Sequence, residues 1–311
     1  MLKKIIIGLL IIALIPIAIY FFFPSVLVDI TMYAERSAAG LEVKSIQLDD
    51  HKVMYVEGGK GETLLFIHGY GQNKENWNRM AKYLTRDYHV VSLDLPGFGE
   101  SSKIESMNYN ITEQAKRLDA FCERVNLERF HIIGNSMGGS LAGCYALYAR
   151  EKVLSLALFN TSGVPKAEKS ELMKMLDEGG KNPFEIETRM DFDQFLKWVF
   201  VTVPPIPGPV KDYFIKQAKE NREFLENIGE DLMDEKYAID TSGLRKNKIK
   251  TLILWGDKDR LCHISGAYIL HKEIPDSKLV ILKDCGHAPM LERPEETAEH
   301  YVNFLIGKTN N

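Results

Sequence analysis

The chain has 311 residues with 45% apolar and 26% charged side chains, material for one large domain plus an insertion, with a core that needs no disulfide or metal to hold it. Its formal net charge is -4, of which Lys3 and Lys4 carry +2, so the remainder bears -6 and is a poor partner for nucleic acid. Cys122, Cys144, Cys262 and Cys285 are scattered and form no CxxC pair, which points to neither a zinc site nor a dense disulfide framework.

From Ile5 to Val28 no residue is charged, and a helix of that length, rising ~1.5 Å per residue, spans a hydrocarbon core of ~30 Å. Residues 1–28 therefore read as a retained transmembrane anchor and 29–40 as a linker. A cleaved signal peptide is the rival, but its apolar region is usually shorter, and the nearest small-residue site, Ser37-Ala38-Ala39, lies well past the run. Lys3 and Lys4 precede the span and no basic excess follows it, so the N-terminus is expected in the cytoplasm and the large domain outside it. Pro16 is tolerated in such a helix, and Pro24 marks a natural place for it to end.

Leu41 to Leu48 and Lys52 to Glu57 read as a hairpin turning at Asp49-Asp50. Thr63 to Ile67, His89 to Leu93, Phe130 to Ile133, Val153 to Phe159, Thr251 to Trp255 and Lys278 to Leu282 are short apolar runs, each expected as a strand buried on both faces. Helical patterns at Glu75 to Leu84, Ile111 to Val125, Met137 to Ala149, Ser265 to Lys272 and Pro294 to Leu305 alternate with them. That rhythm predicts an α/β fold with a mostly parallel, eight-stranded sheet and helices on both faces. Core segments 41–163 and 249–311 flank an interval, 164–248, that has no strand pattern and several amphipathic stretches, including Asp191 to Val201 and Lys211 to Ile228. It reads as a helical cap. Its apolar centre, around Trp198 and Phe200, is a candidate substrate-binding surface, although ordinary packing against the body would account for most of these residues.

Gly134-Asn135-Ser136-Met137-Gly138 lies between a strand ending at Ile133 and a helical pattern, the context of a nucleophile elbow. The glycines permit a sharp turn that lifts the serine oxygen from the sheet, with a helix N-terminus beneath it. Serine needs a base, and His287, in Cys285-Gly286-His287 just past the last strand, can reach the same sheet edge. His51, His89, His131, His271 and His300 suit plain core or surface roles, and His263 is a second choice. An acid must fix the imidazole tautomer. Asp257 and Asp259 both follow a strand in Trp255-Gly256-Asp257-Lys258-Asp259, whereas the preceding strand ends in Asn160-Thr161-Ser162 with no acid. Asp259 is preferred because it lies farther into the loop, leaving Asp257 to the turn. The backbone N–H of Met137 and one from His68-Gly69-Tyr70-Gly71, assigned to Tyr70, would form an oxyanion hole. No metal or other cofactor is expected.

With these residues in place the chain resembles the α/β-hydrolase superfamily, through His68-Gly69, Asp94-Leu95-Pro96-Gly97-Phe98-Gly99, Gly134-Asn135-Ser136-Met137-Gly138-Gly139, Trp255-Gly256-Asp257-Lys258-Asp259 and Cys285-Gly286-His287 in that order. Within it the chain looks most like the membrane-anchored monoacylglycerol lipases, which share Ile264-Ser265-Gly266-Ala267 after the acid and Glu292-Arg293-Pro294 after the histidine. That resemblance implies Asp259 as the acid and a serine esterase acting on lipid esters such as monoacylglycerols. Tyr70 in place of the frequent Phe, and Arg260-Leu261-Cys262-His263 where many relatives carry a proline, are departures that bear on pocket shape. The family's anchored animal members usually place the catalytic domain in the cytoplasm, opposite to the charge bias here. Two other readings are carried: a carbon-carbon bond hydrolase of the ring-fission type, whose members are usually soluble, and a non-catalytic scaffold, which commonly lacks a triad member.

Overall fold

The computed structural model describes residues 19–232 and 237–307. Most of the expected membrane span falls on residues 1–18, outside that range, and no helix among the described residues is long and apolar enough to cross a membrane. Helix α1 (Pro24–Ala38) takes in most of the stretch expected as a linker. Pro24 occupies its first turn, where a missing N–H is harmless, and no glycine interrupts it before Gly40. Two ion pairs fasten it to the body: Arg36 Nη1 to Glu75 Oε1 at 2.7 Å and Arg79 Nε to Glu35 Oε1 at 2.8 Å.

The strands are β1 (Leu41–Gln47), β2 (Lys52–Gly59), β3 (Thr63–Ile67), β4 (His89–Leu93), β5 (Phe130–Asn135), β6 (Val153–Phe159), β7 (Thr251–Gly256) and β8 (Ser277–Leu282). They form one eight-stranded sheet in the order β1-β2-β4-β3-β5-β6-β7-β8. β1 and β2 pair antiparallel, as β2 does with β4, and every other neighbour is parallel. Because side chains alternate across the pleat, one apolar run feeds two cores. Leu65, Ile67, Val91, Ile132, Ile253 and Trp255 enter one cluster, while Leu64, Phe66, Val90, Ile133, Leu252 and Leu254 enter the other. Each such side chain contributes roughly 1.5–3 kcal/mol on burial. Helices α3 (Ile111–Arg124) and α4 (Met137–Tyr148) cover the first face.

The segment Glu75 to Leu84, expected as one helix, is a 3-10 turn at Lys74–Trp77 followed by the four-residue α2 (Asn78–Ala81). A buried charge explains the break. The Lys74 backbone N–H donates to Asp94 Oδ1 at 2.7 Å and its ammonium reaches Asp94 Oδ2 at 3.1 Å and Glu100 Oε2 at 2.5 Å, which fixes the entry of the chain before a regular helix can form. Between β6 and β7 the described residues form α5 (Glu171–Asp177), α6 (Arg189–Val199), α7 (Gly208–Leu232) and α8 (Thr241–Lys246), without a strand. Ile186, Phe192, Leu196 and Ile215 give this insertion a small core of its own. Helices α9 (Ser265–Glu273), α10 (Pro289–Glu292) and α11 (Pro294–Leu305) complete the chain.

The connection from β3 leads to β4 on one side, while β5 continues to β6 on the other. The carboxyl ends of the adjacent strands β3 and β5 therefore border the crevice where ligands settle in parallel sheets. Lys74 and Asp94 brace the floor behind it, at 2% and 0% side-chain exposure. Lys74→Ala would leave the Asp94 carboxylate buried without its cation, so a loss of about 3–5 kcal/mol is expected. Thermal melting checks this, and an unchanged midpoint would show that the pair is not a brace.

Candidate active site

Ser136 stands at the end of β5 with φ 56° and ψ -123°, a left-handed conformation that a serine adopts only when its surroundings impose it. Those surroundings are backbone. A Cβ on Gly134 would lie 2.0 Å from the Gly138 carbonyl oxygen, and one on Gly138 would lie 2.4 Å from the oxygens of Ile67 and His68. The elbow thus closes directly onto the end of β3. The Ser136 carbonyl accepts N–H groups from Gly139 at 2.9 Å and Ser162 at 3.2 Å, which holds the turn from both sides.

His287 is 4% exposed, and its Nδ1 lies 2.9 Å from Asp259 Oδ2 and 3.0 Å from Oδ1. With an acceptor at Nδ1 the ring proton belongs there, leaving Nε2 as the basic nitrogen. Asp257 does not take part: its backbone N–H donates to Leu282 and its carboxylate lies 3.6 Å from Lys258 Nζ. His263 is occupied at Nδ1 with Ser265, at the start of α9. The Asp259 carboxylate is held by further donors, the N–H groups of Leu261 at 2.8 Å and Cys262 at 3.0 Å on Oδ1, and Asn160 Nδ2 at 2.7 Å on Oδ2. Asn135 Nδ2, one residue before the serine, donates to the His287 carbonyl at 3.0 Å.

The Cys262 sulfur lies beside the Ser136 side chain and within 4.8 Å of donor atoms on both Asp259 and His287. One side chain therefore spans from the hydroxyl to the imidazole–carboxylate pair. Burial pushes that thiol well above its ordinary pKa, so it is a neutral neighbour at physiological pH. Asp259, Cys262 and His287 are also the one group of described residues with metal-donor atoms this close together, but His287 Nδ1 and Asp259 are already committed to each other.

The loop after β3 approaches from the opposite side, where a Cβ on Gly69 would meet Ser136 Cβ at 3.1 Å. His68, fully buried, sets its orientation. Nδ1 donates to the Gly69 carbonyl at 2.8 Å, while Nε2 accepts the Leu95 N–H at 3.0 Å. In a trans peptide the N–H points away from the carbonyl, so pinning the Gly69 oxygen aims the Tyr70 N–H in the other direction. The Tyr70 hydroxyl donates to the Leu225 carbonyl of α7 at 2.5 Å, and burial pushes its pKa up to about 12. Trp198 lies with its ring 4.1 Å from the Arg260 guanidinium, and Phe200 packs where the insertion meets the body.

Asn135, Asn160, Cys262 and His68 are the participants that sequence reasoning left without a role. Asn160 was visible as the strand-end residue standing where an acid was sought, and His68 as the partner of Gly69.

Burial holds the His68 pKa below its ordinary value. The unfolded chain therefore gains a proton near pH 6.5 that the folded chain refuses, so stability is complete above that pH and is lost as pH falls through it. His131, lowered by burial as well, acts in the same direction. The melting temperature is expected to drop between pH 7.5 and 5.5, and His68→Gln should flatten the slope. An equal slope in the variant would remove His68 from the account.

A family model described as "alpha/beta hydrolase fold" matches residues 62–203 and 210–294. Lipase 1 of Psychrobacter immobilis is 36% identical over 283 residues, 87% of this chain and 86% of that protein. Monoacylglycerol lipase ABHD6 of Rattus norvegicus is 28% identical over 307 residues, 94% of this chain and 91% of that protein. A crystal structure of a membrane phospholipase A, described as a bacterial virulence factor, superposes with a TM-score of 0.87 at 42% identity and covers 98% of both chains.

Proposed function

Because this chain belongs to the α/β-hydrolase family, we propose that it is a serine hydrolase of lipid carboxylic esters, with Ser136 as nucleophile, His287 as base and Asp259 as acid. The observation that carries this reading is the buried His287–Asp259 pair, within one side chain of a serine held in a left-handed elbow. Ser136 attacks the ester carbonyl while His287 Nε2 takes its proton, and Asp259 stabilises the imidazolium that results. The oxyanion is received by the N–H groups of Met137 and Tyr70, each such donor being worth roughly 2.7–4 kcal/mol. His287 then protonates the leaving alcohol and activates the water that releases the acid. Every proton moves between Ser136, His287, alcohol and water, so the chemistry calls for no cofactor.

The insertion serves as a cap over this site. Phe200 follows Val199, whose carbonyl accepts the His287 N–H at 2.8 Å, which supports a place for Phe200 beside the acyl chain. Trp198, with Arg260 on its ring, forms the adjoining wall. The N-terminal segment holds the domain at a membrane, outside the cytoplasm by the Lys3-Lys4 bias. In support, Phe21, Phe22 and Phe23, just before α1, are 61%, 77% and 58% exposed, and the solved relative is a membrane enzyme. Monoacylglycerols are the first substrate class, and phospholipid acyl esters the second, favoured by the similarity to the phospholipase.

Ser136→Ala is expected to lower turnover of long-acyl esters at least ~10⁴-fold and to abolish labelling by a fluorophosphonate. A panel of monoacylglycerols, phospholipids and a vinylogous diketone, run on the full chain in detergent, separates the substrate classes. Turnover of the diketone alone would replace the ester reading, and full activity in the alanine variant would end it.

A further inference from the structure

The loop bearing His287 is fastened to the cap by a side chain that takes no part in the chemistry just described. Glu292, the last residue of α10, folds back so that Oε2 accepts the Gly286 N–H at 2.8 Å. Its other oxygen, Oε1, accepts the N–H groups of Thr202 at 2.8 Å and Val201 at 3.1 Å, directly after α6. The two segments lie against each other with no spare room. The His287 N–H donates to the Val199 carbonyl at 2.8 Å, and a Cβ on Gly286 would stand 2.4 Å from that same oxygen and 3.2 Å from Phe200 Cα.

We propose that Glu292 is a positioning residue that sets the imidazole of His287 by locking its loop to the end of the cap helix. This inference rests on the proposed function. Three N–H donors converge on two oxygens, and only a carboxylate presents acceptors on both sides. Glutamine offers one accepting oxygen and turns an N–H₂ toward the remaining donor, so it can serve the histidine loop or the cap but not both. The other main-chain groups around His287 are held at their own points: Val199 and Asn135 fix its N–H and carbonyl, Asn160 Nδ2 donates to the Gly286 carbonyl at 3.2 Å, and the Lys258 N–H donates to the Cys285 carbonyl at 3.0 Å, which leaves the Gly286 N–H to Glu292. Without Glu292 the buried Gly286 N–H loses its acceptor, and the turn leading into His287 loses one of the constraints that aim Nε2. A displacement of about 1 Å at such a point costs about 100-fold in rate. Because Val201 and Thr202 are exposed, water can satisfy their N–H groups, so losing the carboxylate leaves no buried donor on the cap side.

The test compares wild type, Glu292→Gln and Glu292→Ala in the full chain at 10 °C, with melting curves run alongside. Two rates are read: phosphonylation of Ser136 by a small fluorophosphonate, which needs the base but no acyl pocket, and turnover of a short and a long acyl ester. Glu292→Ala should lower phosphonylation and kcat on both esters by a common factor of about 10–100, with KM changed less than about threefold. Glu292→Gln should fall between it and wild type. A loss confined to KM for the long ester would mean that Glu292 only shapes the pocket, and unchanged rates would mean that it positions nothing; either result overturns the proposal. Activity surviving in Ser136→Ala would instead refute the underlying enzyme.

Discussion

An imidazole can serve as a base at Nε2 only while its Nδ1–H stays on a fixed acceptor, and the bond from His287 to Asp259 is the point around which the carboxyl edge of the sheet is arranged. Four consecutive strands of the sheet contribute to it. The end of β5 supplies Ser136 and the Asn135 amide that holds the His287 carbonyl, and the end of β6 supplies the Asn160 amide on Asp259. The loop after β7 supplies Asp259, and the loop after β8 supplies His287. Parallel strands place all their carboxyl ends on one rim, so side chains far apart in the chain meet there without a long reach.

The strained serine is affordable because the elbow is enclosed by groups that cannot retreat. Gly138 abuts the last carbonyls of β3, Gly134 abuts Gly138, and β3 itself is locked between β4 and β5 and buried on both faces. The same closeness puts the Gly69 loop against Ser136, where His68 turns the peptide that would face an oxyanion. Packing and chemistry are thus one arrangement at this corner.

Much of this was legible in the sequence. Strands buried on both faces announce themselves as apolar runs, which is why the predicted bounds of Thr63–Ile67, His89–Leu93 and Val153–Phe159 coincide with the strands. The glycine spacing around Ser136 carries a steric meaning that can be read without coordinates. What escaped depends on contacts between distant residues. The pattern Glu75 to Leu84 looks helical, but the hold of Asp94 on Lys74 lies 20 positions away and outweighs local propensity. Asn160 was seen as the absence of an acid, since nothing local says that its amide reaches Asp259, 99 residues on. The apolarity of Trp198 is plain in the sequence, but the guanidinium of Arg260 on its ring is not.

The helical insertion touches three loops at the carboxyl edge of the sheet: Tyr70 meets Leu225, Arg260 meets Glu171, Trp198 and the Lys197 carbonyl, and His287 and Glu292 meet Val199, Val201 and Thr202. A graft of the 164–248 module from a related protein would therefore arrive with foreign docking points for all three loops at once. Exchanging the insertion alone would leave its partners at positions 70, 260 and 292 unmatched, whereas carrying those positions with it would keep the junction contacts.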